Sequence, residues 1–468
     1  MPSQVFQRQD GSWAVRHENG FTEPLEVAPG GIVGPSFADG TGGAQSLVSQ
    51  LGQDSAVAAG VKAIAQLQSL VSTKTATMVS LGDSIVANGL SNGGPDDQNW
   101  LAIACYLSNG KLTWLNSVGG SGYTTEQIRT ILLPSVLAMS PKPAYCAVLA
   151  GQNDIGGQTT FTSWKASYRG LVAELIQAGI MPVICAITPN DLSPKNTNMA
   201  KWNLWLFRLS QENGLPFINW SRDLTNPADN AWLSGYNLPG DNTHPDRNGC
   251  LAMGTFFRDA FLAWISGDRR LDPPLVVYNG DPSNKHSNGM NLTDTNSDGL
   301  ADNWFQFNVT TGGAVGTPTR VDPDGSDTIT KGKWQKIVRN EGAASTFCYI
   351  RSNTDFAMSA GQRWAVGCRF QCDIAEADPI GQVGQVGISD TTSNTNHPQL
   401  RWFVNNITYD IPPTTFWQEF VVDGAGIPNG AGRFLSNFTS GEGSWQVAQV
   451  TVYNLTELDV LDTDLGLA

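Results

Sequence analysis

Between residues 75 and 267, short apolar runs alternate with helix-like stretches, and this alternation narrows the possible folds more than any other feature of the chain. The runs are MVSL (78–81), LTWLNSV (112–118), AYCAVLA (144–150) and MPVICAI (181–187), with a fifth candidate at PFIN (216–219). Between them lie TTEQIRTILLPSVLAM (124–139) and SWKASYRGLVAELIQAG (163–179), whose apolar residues recur at helical spacing. Near-continuous apolar strands separated by helices predict a parallel sheet covered on both faces, because only a helix-length crossover can join parallel neighbours. About 190 residues suit one such domain.

The flanks read differently. Residues 1–42 carry turn signals at Asp10-Gly11 and Asn19-Gly20 and end in a Gly/Pro-rich stretch, which predicts a small β module and linker. Over 43–74, Leu47, Val48, Leu51, Val57, Val61, Ile64, Leu67 and Leu70 approximate a helical stripe, a connecting helix interrupted by Gly52 and Gly60. After Asp272-Pro273-Pro274, short strand-like runs separated by polar turns continue to the end, and an antiparallel β-sandwich over 275–468 fits them best. The α/β domain is placed at 75–270. A chain of 468 residues is long enough for two or three domains, in keeping with this division.

Charge restricts the partners. With 28 basic against 42 acidic residues the formal net charge is -14, which opposes binding to nucleic-acid phosphates or anionic membranes. The opening MPSQVFQRQD lacks an apolar leader and no run approaches the ~20 apolar residues that span a bilayer, so a soluble chain made in the cytoplasm, with no membrane insertion, is expected. The 7 cysteines are odd in number and scattered, and buried thiols are expected; Cys368 and Cys372 form the one close pair, without a second pair to complete a metal site.

In a doubly wound sheet the C-terminal strand ends open on one edge, so residues just after each strand meet in space. Gly82-Asp83-Ser84 follows the first strand, Gly119-Gly120-Ser121-Gly122 the second and Gly151-Gln152-Asn153-Asp154 the third. Near the end of the domain stands Asp241-Asn242-Thr243-His244-Pro245, with the sole histidine between Thr75 and Gly267. Serine is a poor nucleophile until a base takes its proton, and histidine is the usual base near neutral pH. The roles follow: Ser84 attacks a carbonyl carbon, His244 accepts and returns the proton, and Asp241 orients the imidazole. The backbone N–H groups of Ser84 and Gly119 and the amide of Asn153 are placed along the chain to serve an oxyanion.

These four blocks, in this order and spacing, resemble the SGNH or GDSL hydrolase superfamily over roughly residues 75–267. The resemblance places the nucleophile on Ser84, the second-block glycine on Gly119, the third-block asparagine on Asn153 and the final pair on Asp241 and His244. It implies a flavodoxin-like three-layer α/β domain and metal-free hydrolysis of acetyl or acyl esters. Two positions depart from the common pattern: block one continues as IVANG, and Ser117 stands where many relatives carry asparagine.

Weaker signals lie further along. Asp294, Asn296, Asp298 and Asp302, with Gly299, mimic a calcium loop, although Phe305 occupies the position of the usual bidentate Glu; an Asx-rich turn explains the same residues. Any calcium there is expected to be structural. Trp304, Trp334, Trp364, Trp402, Trp417 and Trp445 are candidate sugar-stacking rings or sandwich core, and Trp100 and Trp232 carry the same ambiguity. His17, His286 and His397 sit in polar contexts and are expected on the solvated surface.

The whole layout, a β module, linker helix, esterase and terminal sandwich on an acidic chain, resembles a bacteriophage tail spike or tail fibre. That resemblance implies a homotrimer in the virion tail, an N-terminal module attached to other tail proteins, and removal of O-acetyl groups from an acetylated bacterial surface polysaccharide. A bacterial carbohydrate or lipid esterase and a non-catalytic glycan-binding adhesin are the competing readings.

Overall fold

The computed structural model describes residues 76–87, 98–191, 195–308, 316–339, 348–376, 384–390, 396–402, 409–422, 431–438, 442–465 and 467, with five short strands between 4 and 32. The chain divides into two compact units, Met1–Ser72 with Gly466–Ala468, and Thr73–Leu465. In the first, β1 (Gln4–Gln7), β2 (Trp13–Arg16) and β3 (Thr22–Leu25) form an antiparallel sheet. A two-stranded ladder of β4 (Val27–Ala28) and β5 (Gly31–Ile32) follows. All five fall within the β module expected over 1–42; the connecting helix expected over 43–74 lies outside the described residues.

The second unit begins with five parallel strands, β6 (Ala76–Gly82), β7 (Leu112–Gly119), β8 (Tyr145–Leu149), β9 (Met181–Cys185) and β10 (Phe217–Ile218). Their spatial order, β10-β9-β8-β6-β7, is the flavodoxin-like order 2-1-3-4-5 read from the other side. The central strands β8 and β9 are buried along their whole length, which is why their sequences YCAVL and MPVIC do not alternate in polarity. Helices Trp100–Leu107, Phe161–Gln177, Lys195–Asn213 and Arg247–Ile265 supply the crossovers and cover. The last is capped by Asp246, whose side chain accepts from the Gly249 N–H at 2.8 Å.

The remaining strands form two antiparallel sheets. One runs β11 (Trp304–Asn308), β14 (Cys348–Ser352), β20 (Ala431–Phe438), β17 (Gly384–Asp390), β18 (Asn396–Trp402), with β15 (Phe356–Ala357) also on β20. The other runs β12 (Gly316–Val321), β13 (Trp334–Arg339), β21 (Glu442–Asn454), β16 (Arg363–Glu376), β19 (Tyr409–Val421). Trp304, Ile350, Ile388 and Phe434 from the first sheet share one core with Ile337, Trp364, Phe370 and Trp445 from the second. This is a β-sandwich. Trp304, Trp334, Trp364 and Trp445 are buried in it, as are Trp100 and Trp232 in the α/β domain, so none of these six rings presents a face to a sugar. Trp417 is half-buried, and the side chain of Trp402 lies outside the described ones.

His286 corrects an expectation. It is buried, with its ring 4.7 Å from that of Trp304, rather than solvated. The polar residues around it in sequence suggested a surface turn, but they fold inward: Asn284 donates to Val450 O at 2.7 Å and accepts from the Val452 N–H at 2.8 Å. Cys105, Cys146, Cys185, Cys250, Cys368 and Cys372 are buried as thiols, and among the described residues no helix is long and apolar enough to cross a membrane.

The α/β domain and the sandwich are laced together at two places. Residues 455–465 leave β21 and cross back over the helices Phe161–Gln177 and Lys195–Asn213. Lys165 Nζ, buried, donates to Asp459 O and Oδ2 at 2.8 and 2.9 Å, Trp205 Nε1 to Asp462 O at 2.8 Å, and Arg208 Nε to Val460 O at 3.0 Å. The Arg208 guanidinium also pairs with Glu212 and with Glu419 of β19. At the second place Lys331 of the sandwich lies 3.1 Å from Asp223, itself paired with Arg222, which reaches Asp272 at 3.0 Å.

Arg208→Ala removes a side chain that is 1% exposed and leaves Glu419, 14% exposed, with only the more distant Arg363 at 3.8 Å, so unfolding in denaturant should show a loss of about 3 kcal/mol. Burial holds His286 neutral by lowering its pKa from 6.5 to about 3. The unfolded chain therefore binds a proton that the folded one does not between those values, and stability should fall as pH drops from 6.5 towards 3. His286→Phe should remove that contribution, so thermal melts of the two proteins should diverge progressively below pH 6.5 in favour of the variant.

Candidate active site

The chain turns sharply at the end of β6 because nothing larger than glycine fits there. A Cβ on Gly82 would lie 2.1 Å from the carbonyl oxygen of Leu149 in the neighbouring strand β8. The next residues start a short helix, Ser84–Ala87, and of residues 81–87 only Ser84 is not buried. Asp83 caps the turn, its Oδ1 accepting from the Ile85 N–H at 3.0 Å. Burial pushes the Asp83 pKa up to about 6, against the Ile85 N–H and His244, which favour its charged form.

Ser84 meets a residue 160 positions away. His244 Nε2 lies 2.7 Å from Ser84 Oγ, and His244 Nδ1 lies 2.7 Å from Asp241 Oδ2. Asp241 Oδ1 accepts from the backbone N–H groups of Thr243 at 2.7 Å and His244 at 3.0 Å, so the carboxylate and imidazole are set within one turn of chain. Burial works to raise the Asp241 pKa, but these two N–H groups and the imidazole outweigh it and hold the carboxyl below its ordinary value. The carboxylate is thus kept charged beside the imidazole, which fixes the ring's orientation with Nε2 turned to the Ser84 hydroxyl. A hydroxyl, an imidazole and a carboxylate in this order can deprotonate the hydroxyl as it attacks an electrophilic carbon.

The other two strand ends stand beside this chain. Gly119 pairs with Gly82, and a Cβ on it would lie 2.3 Å from the backbone nitrogen of Ala87. Asn153 Nδ2 donates one hydrogen to Tyr123 O at 2.9 Å, which ties the loop after β8 to the loop after β7. Asp154, buried, fastens the same two loops by accepting from the Thr125 N–H and Oγ1 at 2.8 and 2.9 Å; burial raises its pKa against those donors. Ser117, the departure in block two, is absorbed into a local network with Ser80, Asn99 and Trp114 at 2.7, 3.0 and 3.1 Å.

The 294–302 loop takes the form of an Asx-rich turn rather than a cation cage. Asp294 Oδ2 accepts from the Gly299 N–H at 3.2 Å and lies 3.3 Å from Arg320 Nη2, while Asn296 turns an amide donor towards Asp298 Oδ2 at 2.9 Å. Asp302 Oδ1 is taken by Thr295 N–H and Oγ1 at 2.9 and 3.1 Å. Among the described residues no group of three or more His, Cys, Asp or Glu side chains is arranged to hold a metal.

One strand end escaped the sequence reading. Asn190 and Asp191 follow β9, and both bond to the segment carrying Asp241 and His244. The strand-end rule applied to β6, β7 and β8 points to them equally, but no sequence block marks them.

Residues 80–250 match the GDSL-like Lipase/Acylhydrolase family, a span that holds Ser84, Gly119, Asn153, Asp241 and His244. The match supports a GDSL-type acylhydrolase reading of this stretch, an ester-hydrolase class that needs no cofactor for catalysis. No curated protein matches the chain. Among solved structures, a putative lipolytic protein of the G-D-S-L family from Desulfitobacterium hafniense is 18% identical, with 40% of this chain and 99% of that one covered and a TM-score of 0.35. An acetylxylan esterase from Geobacillus stearothermophilus, in a catalytic mutant, is 17% identical over 42% of this chain and 96% of that one, with a TM-score of 0.31. The enzymatically active domain of a bacteriophage CBA120 tailspike protein is 11% identical over 36% of this chain and 21% of that one, with a TM-score of 0.25.

The steric requirement at Gly82 is open to test. Gly82→Ala forces β6 or the Leu149 carbonyl to move, and with it Ser84 relative to His244. Since a shift of about 1 Å costs on the order of 100-fold in rate, kcat/KM on p-nitrophenyl acetate should fall by at least about that factor in folded protein.

Proposed function

We propose that this protein is a serine esterase that removes O-acetyl groups from a bacterial surface polysaccharide, as part of a receptor-binding phage tail protein. The observation that carries the esterase is the chain of two 2.7 Å contacts from Ser84 through His244 to Asp241 at the C-terminal edge of a parallel sheet.

In this mechanism Ser84 Oγ attacks the acetyl carbonyl carbon while His244 Nε2 takes its proton. The oxygen that becomes negative is received by the N–H groups of Ser84 and Gly119 and the remaining amide hydrogen of Asn153, each such donor stabilising the transition state by about 3 to 4 kcal/mol. Collapse breaks the bond to the sugar oxygen, which leaves with the proton from His244. Water then attacks acetyl-Ser84 with His244 again as base, and acetate departs as His244 returns that proton to Ser84 Oγ. Asp241 stays ionised throughout, supporting the imidazolium.

The polysaccharide substrate and the tail location draw support from the layout: a small β module precedes the esterase domain and a β-sandwich follows it, on a chain with a net charge of -14. On this reading the N-terminal module joins other tail proteins, the chain is a homotrimer, and it acts outside the cell in which it is made.

Acetate release from acetylated surface polysaccharide and from p-nitrophenyl acetate tests the proposal. The intact chain should cleave both. Ser84→Ala and His244→Ala should each lower kcat by about four to six orders of magnitude. Cleavage of the small ester alone would keep the esterase and overturn the polysaccharide; binding to cells without hydrolysis of either would favour an adhesin.

A further inference from the structure

We propose that Asp191 is a positioning residue that holds the Asp241–His244 pair in register with Ser84. The inference rests on the esterase reading above and deepens it.

His244 and Asp241 belong to no helix or strand; their segment, 236–246, is a loop pinned by a few bonds. Leu238 N–H donates to His244 O at 3.0 Å and Asp241 N–H to Leu238 O at 2.9 Å, so the loop closes on itself. Its fastening to the sheet comes from the end of β9. Asp191 Oδ1 accepts from the Trp232 N–H at 2.8 Å and Oδ2 from Asn237 Nδ2 at 3.0 Å, while the Asp191 N–H donates to Asn242 O at 2.9 Å. Asn190 Nδ2 adds a bond to Thr243 Oγ1 at 2.9 Å. Residues 190 and 191 thus bond just ahead of the loop at Trp232, near its start at Asn237, and to both residues between Asp241 and His244.

Asn237 makes the arrangement chemically specific. Its amide nitrogen has two hydrogens, and it donates both to Asp191 Oδ2 and, at 2.9 Å, to Asp241 O. A carboxylate at 191 can accept from Trp232 and Asn237 together. An amide there cannot: one of its two ends is an NH2 group, which would face a donor on either side. Turning the Asn237 amide to suit it would surrender the bond to Asp241 O. Asp191→Asn, nearly identical in shape, therefore loses either the Trp232 bond or the Asn237 link to Asp241.

The experiment compares the full chain with Asp191→Asn, Asp191→Ala, Asn237→Ala and the Asp191→Ala/Asn237→Ala double variant. Steady-state kinetics on p-nitrophenyl acetate are read beside the downfield proton resonance of His244 Nδ1–H, assigned by its loss in His244→Ala. We expect kcat to fall by about 10- to 100-fold with KM changed by less than about threefold, because the defect lies in alignment rather than in ester binding. The resonance should move or broaden in each variant, and the double variant should be no slower than the worse single one, since both residues act through one chain. Folded variants with kcat within about twofold of the parent and an unmoved resonance would overturn the proposal, leaving Asp191 a loop staple that affects melting temperature alone. Should Asp191→Ala not fold, Asp191→Asn and Asn237→Ala decide by the same readouts. If the parent cleaves no ester yet shows the resonance and the variants lose it, the esterase reading fails while the positioning role stands; a parent without the resonance overturns the positioning role itself.

Discussion

Parallel pairing of β6 with β7 and β8 is the constraint on which the site depends. Because the three strands run the same way, Gly82, Gly119 and Leu149 finish side by side, and the loops that follow them are forced onto one edge. Glycine at 82 and 119 lets those loops approach to distances that a Cβ would forbid, which leaves Ser84 standing clear of a buried turn. His244 comes to it from 160 residues away at 2.7 Å, with its orientation set by a carboxylate only three residues back in the chain. Short-range geometry aims the base, and long-range topology delivers it.

The carboxylates around the site divide the work. Asp241 is held ionised by N–H donors and the imidazole, as an orienting group must be. Asp83 and Asp154 are buried and pushed the other way, and their oxygens fasten turns and loops: Asp83 onto the Ile85 N–H, Asp154 onto Thr125. Asp191 belongs with these fastening groups by its bonds, although it is only half-buried. The cation side of the ledger lies elsewhere, on helices Phe161–Gln177 and Lys195–Asn213, where Lys165 and Arg208 are buried beneath the returning segment 455–465. There the charges join the sandwich to the α/β domain, so segment 455–465 takes part in the environment of the α/β helices.

Much of the α/β domain was legible because its signals are local. A fully buried parallel strand must be apolar on both faces, so YCAVL and MPVIC announce themselves without any knowledge of their neighbours. The sandwich tryptophans are the contrary case. Whether a ring on a strand faces core or solvent depends on which sheet lies opposite, and the structure turns Trp304, Trp334, Trp364 and Trp445 inward. His286 was misread for the same reason: polar neighbours such as Asn284 look like a surface turn, yet their hydrogen bonds are satisfied by β21 instead of water. In the 294–302 loop the ligand-like spacing is real, but Arg320 arrives from another strand and takes the Asp294 carboxylate.

The order and spacing of Gly82-Asp83-Ser84, Gly119, Asn153 and Asp241-Asn242-Thr243-His244 determined by themselves the type of fold, the candidate nucleophile and its base, because strand periodicity, turn chemistry and the i,i+3 reach of Asp241 to His244 are properties of short segments. The tertiary structure alone decided that Asp191 secures the loop bearing that pair, that residues 455–465 lie across the α/β helices, and that His286 is kept neutral in a core. Each of those depends on contacts between segments tens to hundreds of residues apart, and no local pattern encodes which distant group will arrive to complete a hydrogen bond or exclude water.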